Sequence, residues 1–155
     1  LIALCGGAFI LARIQPARHP GEKWNQTVVN LHASAVYLFA SAFIVIGIQH
    51  LLYAEFISML VPAWIPFKLF WAYFVGVAFF AFATSLIAGI KVRLAGTLAG
   101  IMFLLWVAIL HGPRVAANTQ TETEWTSLFI ALAMAGISFM VAGASTQLFT
   151  RISRG

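Results

Sequence analysis

Residues 69–90, LFWAYFVGVAFFAFATSLIAGI, carry no charged side chain and no proline, and their reading decides the fold. A helix needs about 20 consecutive apolar residues to cross the hydrocarbon core of a bilayer. Three other neutral stretches, 24–54, 94–113 and 125–150, are also long enough, so four full crossings are expected. In lipid the backbone must satisfy its own hydrogen bonds, which leaves only helices and closed barrels. Uninterrupted apolar runs without period-two alternation choose the helix. Composition agrees, because 62% of the 155 residues are apolar and 8% charged, whereas soluble domains carry about a quarter charged residues. The expected fold is all-α, a polytopic transmembrane bundle with helices over about 33–54, 68–90, 94–111 and 127–148.

Residues 1–12 are neutral and apolar too, but at helical rise they reach about 18 Å, short of a core about 30 Å thick. With Leu1 in place of an initiator Met, residues 1–14 read as a truncated N-terminal helix. A cleavable signal peptide would need its basic region early, and Arg13 follows the apolar run. The chain then divides into this partial helix, a basic loop over 15–32, a four-helix domain over 33–148 and a basic tail over 149–155.

The net charge of +5 does not suggest nucleic acid, because the basic residues are scattered at helix ends and form no stripe with interleaved aromatics. Orientation explains them better, since Lys and Arg stay on the cytoplasmic side of short loops. Arg13, Arg18, Lys23, Lys91, Arg93, Arg151 and Arg154 share one face by alternation, leaving Lys68 and Arg114 on the other. This places the C-terminus in the cytoplasm and the loops after 54 and 111 outside, in what reads as a bacterial inner membrane. Cys5, the only cysteine, offers neither a disulfide nor zinc spacing, and no metal site is expected. His19 and His32 lie in the basic loop, where water reaches them.

Helices in lipid associate through small residues that let backbones approach. Gly96 and Gly100 stand four apart, flanked by Ala95 and Ala99, while Ala131, Ala135, Ser138 and Ala142 fall on one face of the last helix with Gly136 and Gly143 nearby. Packing within the bundle is the first reading of these residues and a dimer face the second.

The stretch FISMLVPAWIPF, residues 56–67, is apolar but too short to span. Pro62 and Pro66 remove amide donors and bias Val61 and Ile65 away from helical geometry, so an extended or turned segment is expected, lying in the interface or dipping into the bundle. Around it gather His50, Tyr53, Glu55, Trp64, Trp71, Trp106, His111, Arg114 and Trp125, from three parts of the chain. Ionisable residues inside a span are costly and by default mark a functional site. His50 is the foremost of them. The competing reading gives His50 or His111 a loop carbonyl to hold and nothing more. The candidate outer pocket, His50, Tyr53, Glu55, Pro62, Trp64, Pro66, Trp71, Trp106, His111 and Arg114, is expected to close against the 94–111 helix.

From 47 to 76 the order Gly47, His50, Val61, Pro62, Trp64, Pro66, Trp71, Gly76 resembles the DoxX-like membrane proteins. Their mark is a Gly-x-x-His helix end, a Val-Pro-x-Trp-x-Pro loop and a Trp entering the next helix. The strings RLAG (93–96), LHGPRV (110–115) and EWTS (124–127) are similar to members of the group, and the resemblance covers roughly residues 40–145. It implies a four-helix core. Relatives often carry an acid where this chain has Phe79, and if that carboxylate relays protons in redox-active members, the route is lost here. Many relatives have Phe where Leu51 follows His50. Some members resemble subunits of thiosulfate:quinone oxidoreductase, and others are linked to membrane assemblies that handle oxidative stress.

Three functions are compatible with these residues. The first is a small accessory or structural subunit of a larger membrane electron-transfer assembly, with membrane lipids and other membrane subunits as partners and no activity of its own. The second is a quinone-interacting oxidoreductase subunit, with His50 or His111 donating to the quinone carbonyl and Trp64, Trp71 or Trp106 against the ring. Histidine can change charge near neutral pH, as proton-coupled reduction requires. No CxxC, GxGxxG or HExxH string supplies a second redox centre, so electrons would come from a partner. Haem ligation by the two histidines ranks below quinone, since nothing in the sequence makes them face each other. The third is a small-molecule carrier with the proline segment lining its path.

Overall fold

The computed structural model describes residues 26–152 and, within them, the side chains of 34 and 36–145. Segment 1–14, the basic stretch up to 25 and residues 153–155 lie outside the described residues, as do the side chains of His32 and Arg151. The described elements are α1 (Gln26–Leu52), α2 (Ala54–Leu60), α3 (Lys68–Ala88), α4 (Val92–Trp106), a π-helical turn (Val107–His111), α5 (Gly112–Ala117) and α6 (Glu122–Ile152), with no strand among them. Three spans are long and apolar enough to cross a membrane: Lys68–Ala88, Val92–Ala117 and Glu122–Ser145. A fourth is counted if α1 and α2, bent by 90° at Tyr53, form one span.

Several bounds differ from the sequence expectation, and the differences are physical. α1 begins at Gln26 rather than near 33, and α6 runs from Glu122 to Ile152 rather than from 127 to 148. Within 56–67 the prolines act only locally: α2 is helical through Leu60, and the turn is confined to 61–67, where the Ile65 amide donates to the Pro62 carbonyl at 3.1 Å and Phe67 takes φ 54°. The span that starts at Val92 does not stop at His111 but continues to Ala117. Pro113 has no N–H, and its ring clashes with the carbonyl four residues back. The backbone answers by widening into the π turn, in which the Gly112 amide donates to the Val107 carbonyl. Arg114 therefore sits on a helix and not in a loop.

Tight turns make consecutive spans antiparallel. At the turn end, Gly89 (φ 69°) and Lys91 (φ 50°) link α3 to α4, and Ser85 Oγ donates to the Ile90 carbonyl at 2.6 Å. The opposite end, here the loop end, holds 53–67 and 118–121. α1 packs along α3 and α4 along α6, and a thinner contact joins α3 to α4. The core lies where α1, α3 and α4 meet: Phe43 touches Phe39, Phe79, Phe82 and Phe103 at centroid distances of 4.7–6.0 Å, all edge-on. Such pairs stabilise beyond the area they bury, by about 0.5–1.5 kcal/mol each.

Two glycine contacts set the helix spacings. Gly47 and Gly76 face each other across α1 and α3, and a Cβ on Gly76 would lie 3.0 Å from the Cβ of His50. Gly96 and Gly100 face α6, where Ala131, Ala135, Ser138 and Ala142 are all buried. Ser138 satisfies its hydroxyl internally, donating to the Met134 carbonyl at 2.7 Å. These small residues pack within the chain. Gly136 and Gly143 instead look into open space.

Candidate functional site

Between α3 and α4 the two helices stand apart and leave a cleft of about 930 Å³. Small and flexible residues line it, Ala78 and Ala81 from α3 and Ala95, Leu98, Ala99 and Met102 from α4. Trp64, Pro66, Trp71 and Trp106 close its loop end, and Lys91 stands at its turn end. From Trp71 to Ala88 the helical rise amounts to about 26 Å, most of the depth of a bilayer core about 30 Å thick. The cleft suits a long apolar molecule lying along the two helices, since its lining is almost wholly apolar. Its volume lies within the usual range for ligand sites, about 300–1,000 Å³.

The candidate pocket residues divide into three groups. Trp64, Pro66, Trp71 and Trp106 line the cleft. The Trp71 indole N–H donates to the Pro66 carbonyl at 3.2 Å, which ties the proline turn to the start of α3. Trp64 and Trp106 have no hydrogen-bond partner for their indoles among the described residues, so those donors are available to a ligand. Pro62 is part of the turn that sets Trp64 in place, without lining the cleft.

The histidines form the second group, and neither lines the cleft. His50 faces the α1–α3 interface: its Nδ1–H donates to the Ile46 carbonyl at 2.9 Å, and its ring meets Phe79 edge-on at 5.0 Å. Phe79 is buried and stacks on Phe103 at 5.6 Å. The position read as a missing acid thus carries a ring that covers His50 and connects it to α4. His111 sits on the π turn, half-buried, with a buried Nδ1 that has no partner. Among the described residues no hydrogen bond or ring contact joins His50 to His111.

The third group lies off the cleft altogether. Tyr53 and Glu55 are exposed around the α1–α2 bend. Arg114 reaches from α5 to Glu124 on α6 in a two-pronged ion pair, Nε to Oε2 at 2.8 Å and Nη2 to Oε1 at 2.6 Å. The paired geometry matches guanidinium to carboxylate and closes the 118–121 loop. Trp125 braces the same loop, donating to the Thr119 carbonyl at 2.9 Å. The sequence reading had not paired Arg114 with Glu124, although opposite charges flanking a short loop were a usable signal. It had no signal for the cleft, because a run of alanines reads equally well as close packing.

No family model matches the chain, nor does any curated protein or any solved structure.

Proposed function

We propose that this chain is a small integral membrane subunit of an electron-transfer assembly that holds a quinone-type molecule in the α3–α4 cleft and has no activity by itself. The observation that carries the reading is that Trp64, Trp71 and Trp106 all line one end of an apolar cleft of nearly bilayer depth. A flat ring stacks on indole faces, with the free indole N–H groups of Trp64 and Trp106 as donors to its carbonyls. An isoprenoid tail suits the remaining length, where the lining is almost wholly apolar. The histidine donors of the sequence reading drop out, since His50 and His111 face elsewhere. The motif resemblance to DoxX-like proteins over residues 47–76 supports the same class. Electrons come from a partner subunit in this reading. The turn end, with Lys91 and Arg93, lies in the cytoplasm of a bacterial inner membrane. Arg114 at the other end is ion-paired, leaving Lys68 as the free cation there among the described residues.

Gentle extraction from native membranes tests this directly. The expected preparation contains partner chains and about one quinone per subunit, and the quinone is lost when Ala78→Phe fills the cleft. Partner chains with no quinone in the wild-type preparation would leave only an accessory role and sink the cleft reading.

A further inference from the structure

The two mouths of the cleft differ in kind. The loop end is aromatic and its lining uncharged, whereas Lys91 stands at the turn end as the only charged residue in the lining. Arg93 follows it on the first turn of α4, exposed and without an ion-pair partner among the described residues. The acids among the described residues, Glu55, Glu122 and Glu124, all lie at the loop end. Two cations without an ion-pair partner among the described residues thus mark the level where the apolar lining stops.

We propose that this basic mouth seats the phosphate of an anionic phospholipid, with one of its acyl chains lying in the cleft between α3 and α4. The chemistry that fits is an amphiphile with a fixed negative charge at one end. A free phosphate would find Lys91 but gain nothing from Leu94 and Leu98 behind it. An acyl chain entering from its own leaflet reaches about half the core, about 15 Å. That is about ten residues of α4, from Lys91 to Ile101. The chain therefore fills the inner half of the cleft and leaves the tryptophan end free. The lipid headgroup uses the opposite mouth and different side chains from the quinone ring, while its acyl chain competes with the quinone's tail for the inner half of the one cleft.

Native mass spectrometry of the purified full chain in detergent tests the proposal, with phosphatidylglycerol and phosphatidylcholine of identical acyl chains as probes and inorganic phosphate as competitor. Phosphatidylglycerol is expected to bind more tightly than phosphatidylcholine and to resist millimolar phosphate. A surface cation contributes enough to anionic lipid binding that Lys91→Gln and Arg93→Gln should each weaken it about fivefold. Leu98→Trp, which blocks the cleft and keeps both charges, should also weaken it, while Lys91→Arg should retain it. Equal binding of the two lipids overturns the proposal, as does full competition by inorganic phosphate, which would make the site one for a free anion. Should Lys91→Gln fail to fold, the lipid comparison on the native chain together with Arg93→Gln and Leu98→Trp still decides. Loss of quinone in Trp64→Ala with unchanged lipid binding would separate the two mouths.

Discussion

The two sides of α4 are built from similar residues and behave oppositely. Toward α6, Gly96 and Gly100 are covered so closely that an added Cβ on either would meet an atom within 2.8 Å. Toward α3, Ala95 and Ala99 border a cleft of about 930 Å³. Small residues are therefore not in themselves a packing signal. What closes the α4–α6 side is a complement: the Phe139 ring lies over Gly100, and the backbone of α6 comes up to Gly96. The α3 side has no such complement: Ala78 and Ala81 border the gap as Ala95 and Ala99 do on α4, and Phe74, which also lines it, is exposed. Without a hydrophobic drive between helices in lipid, close packing needs shape on both partners.

The comparison breaks most severely at Gly96. A methyl there would lie 2.8 Å from the Ser138 carbonyl oxygen and 3.1 Å from the Ala142 Cβ. Neither can rotate away, so α4 and α6 must separate. Gly96→Ala should destabilise the bundle by about 1–3 kcal/mol, the usual cost of overpacking, as measured by unfolding in mixed micelles with rising sodium dodecyl sulfate. An unchanged midpoint would mean that the helices are not in this contact. Gly100→Ala should cost less. The obstacle there is the Phe139 ring, which is free to swing toward lipid at the price of a rotamer shift of about 0.5–1.5 kcal/mol. Gly136→Ala on the partner helix α6 is the control, because nothing lies within 4 Å of that position. Relief of glycine's backbone entropy should make it neutral or stabilising by up to about 1 kcal/mol.

This gradient also separates what was legible in the sequence from what was not. The helical spans could be read because charge is excluded from long runs, a property of the chain alone. The buried face Ala131, Ala135, Ser138, Ala142 followed from helical spacing, and the structure puts it against α4. The break at Tyr53 carries no proline or glycine to announce it. The π turn was hidden because Pro113 reads as a helix stop, whereas the backbone absorbs it by one wider turn. Site residues were half legible. Trp64, Trp71 and Trp106 all line the cleft, but His50 turns to Phe79 because the facing of a side chain depends on where the neighbouring helix lies. The cleft itself is a distance between two helices, and no residue type encodes it.

The smallest effect on stability is expected where the cleft is filled, and it is the sharpest test of the contrast. Ala78 is half-buried and lines the gap from α3. If the gap is real space, Ala78→Phe adds a ring without displacing backbone, and the unfolding midpoint should move by no more than about 0.5 kcal/mol, as for a substitution touching no packed feature. The same ring narrows the cleft, so retained lipophiles should be lost while the fold persists. A loss of stability comparable to Gly96→Ala would show instead that α3 and α4 close on each other in the membrane. The two sides of α4 would then be alike, and the cleft would not be available to a ligand.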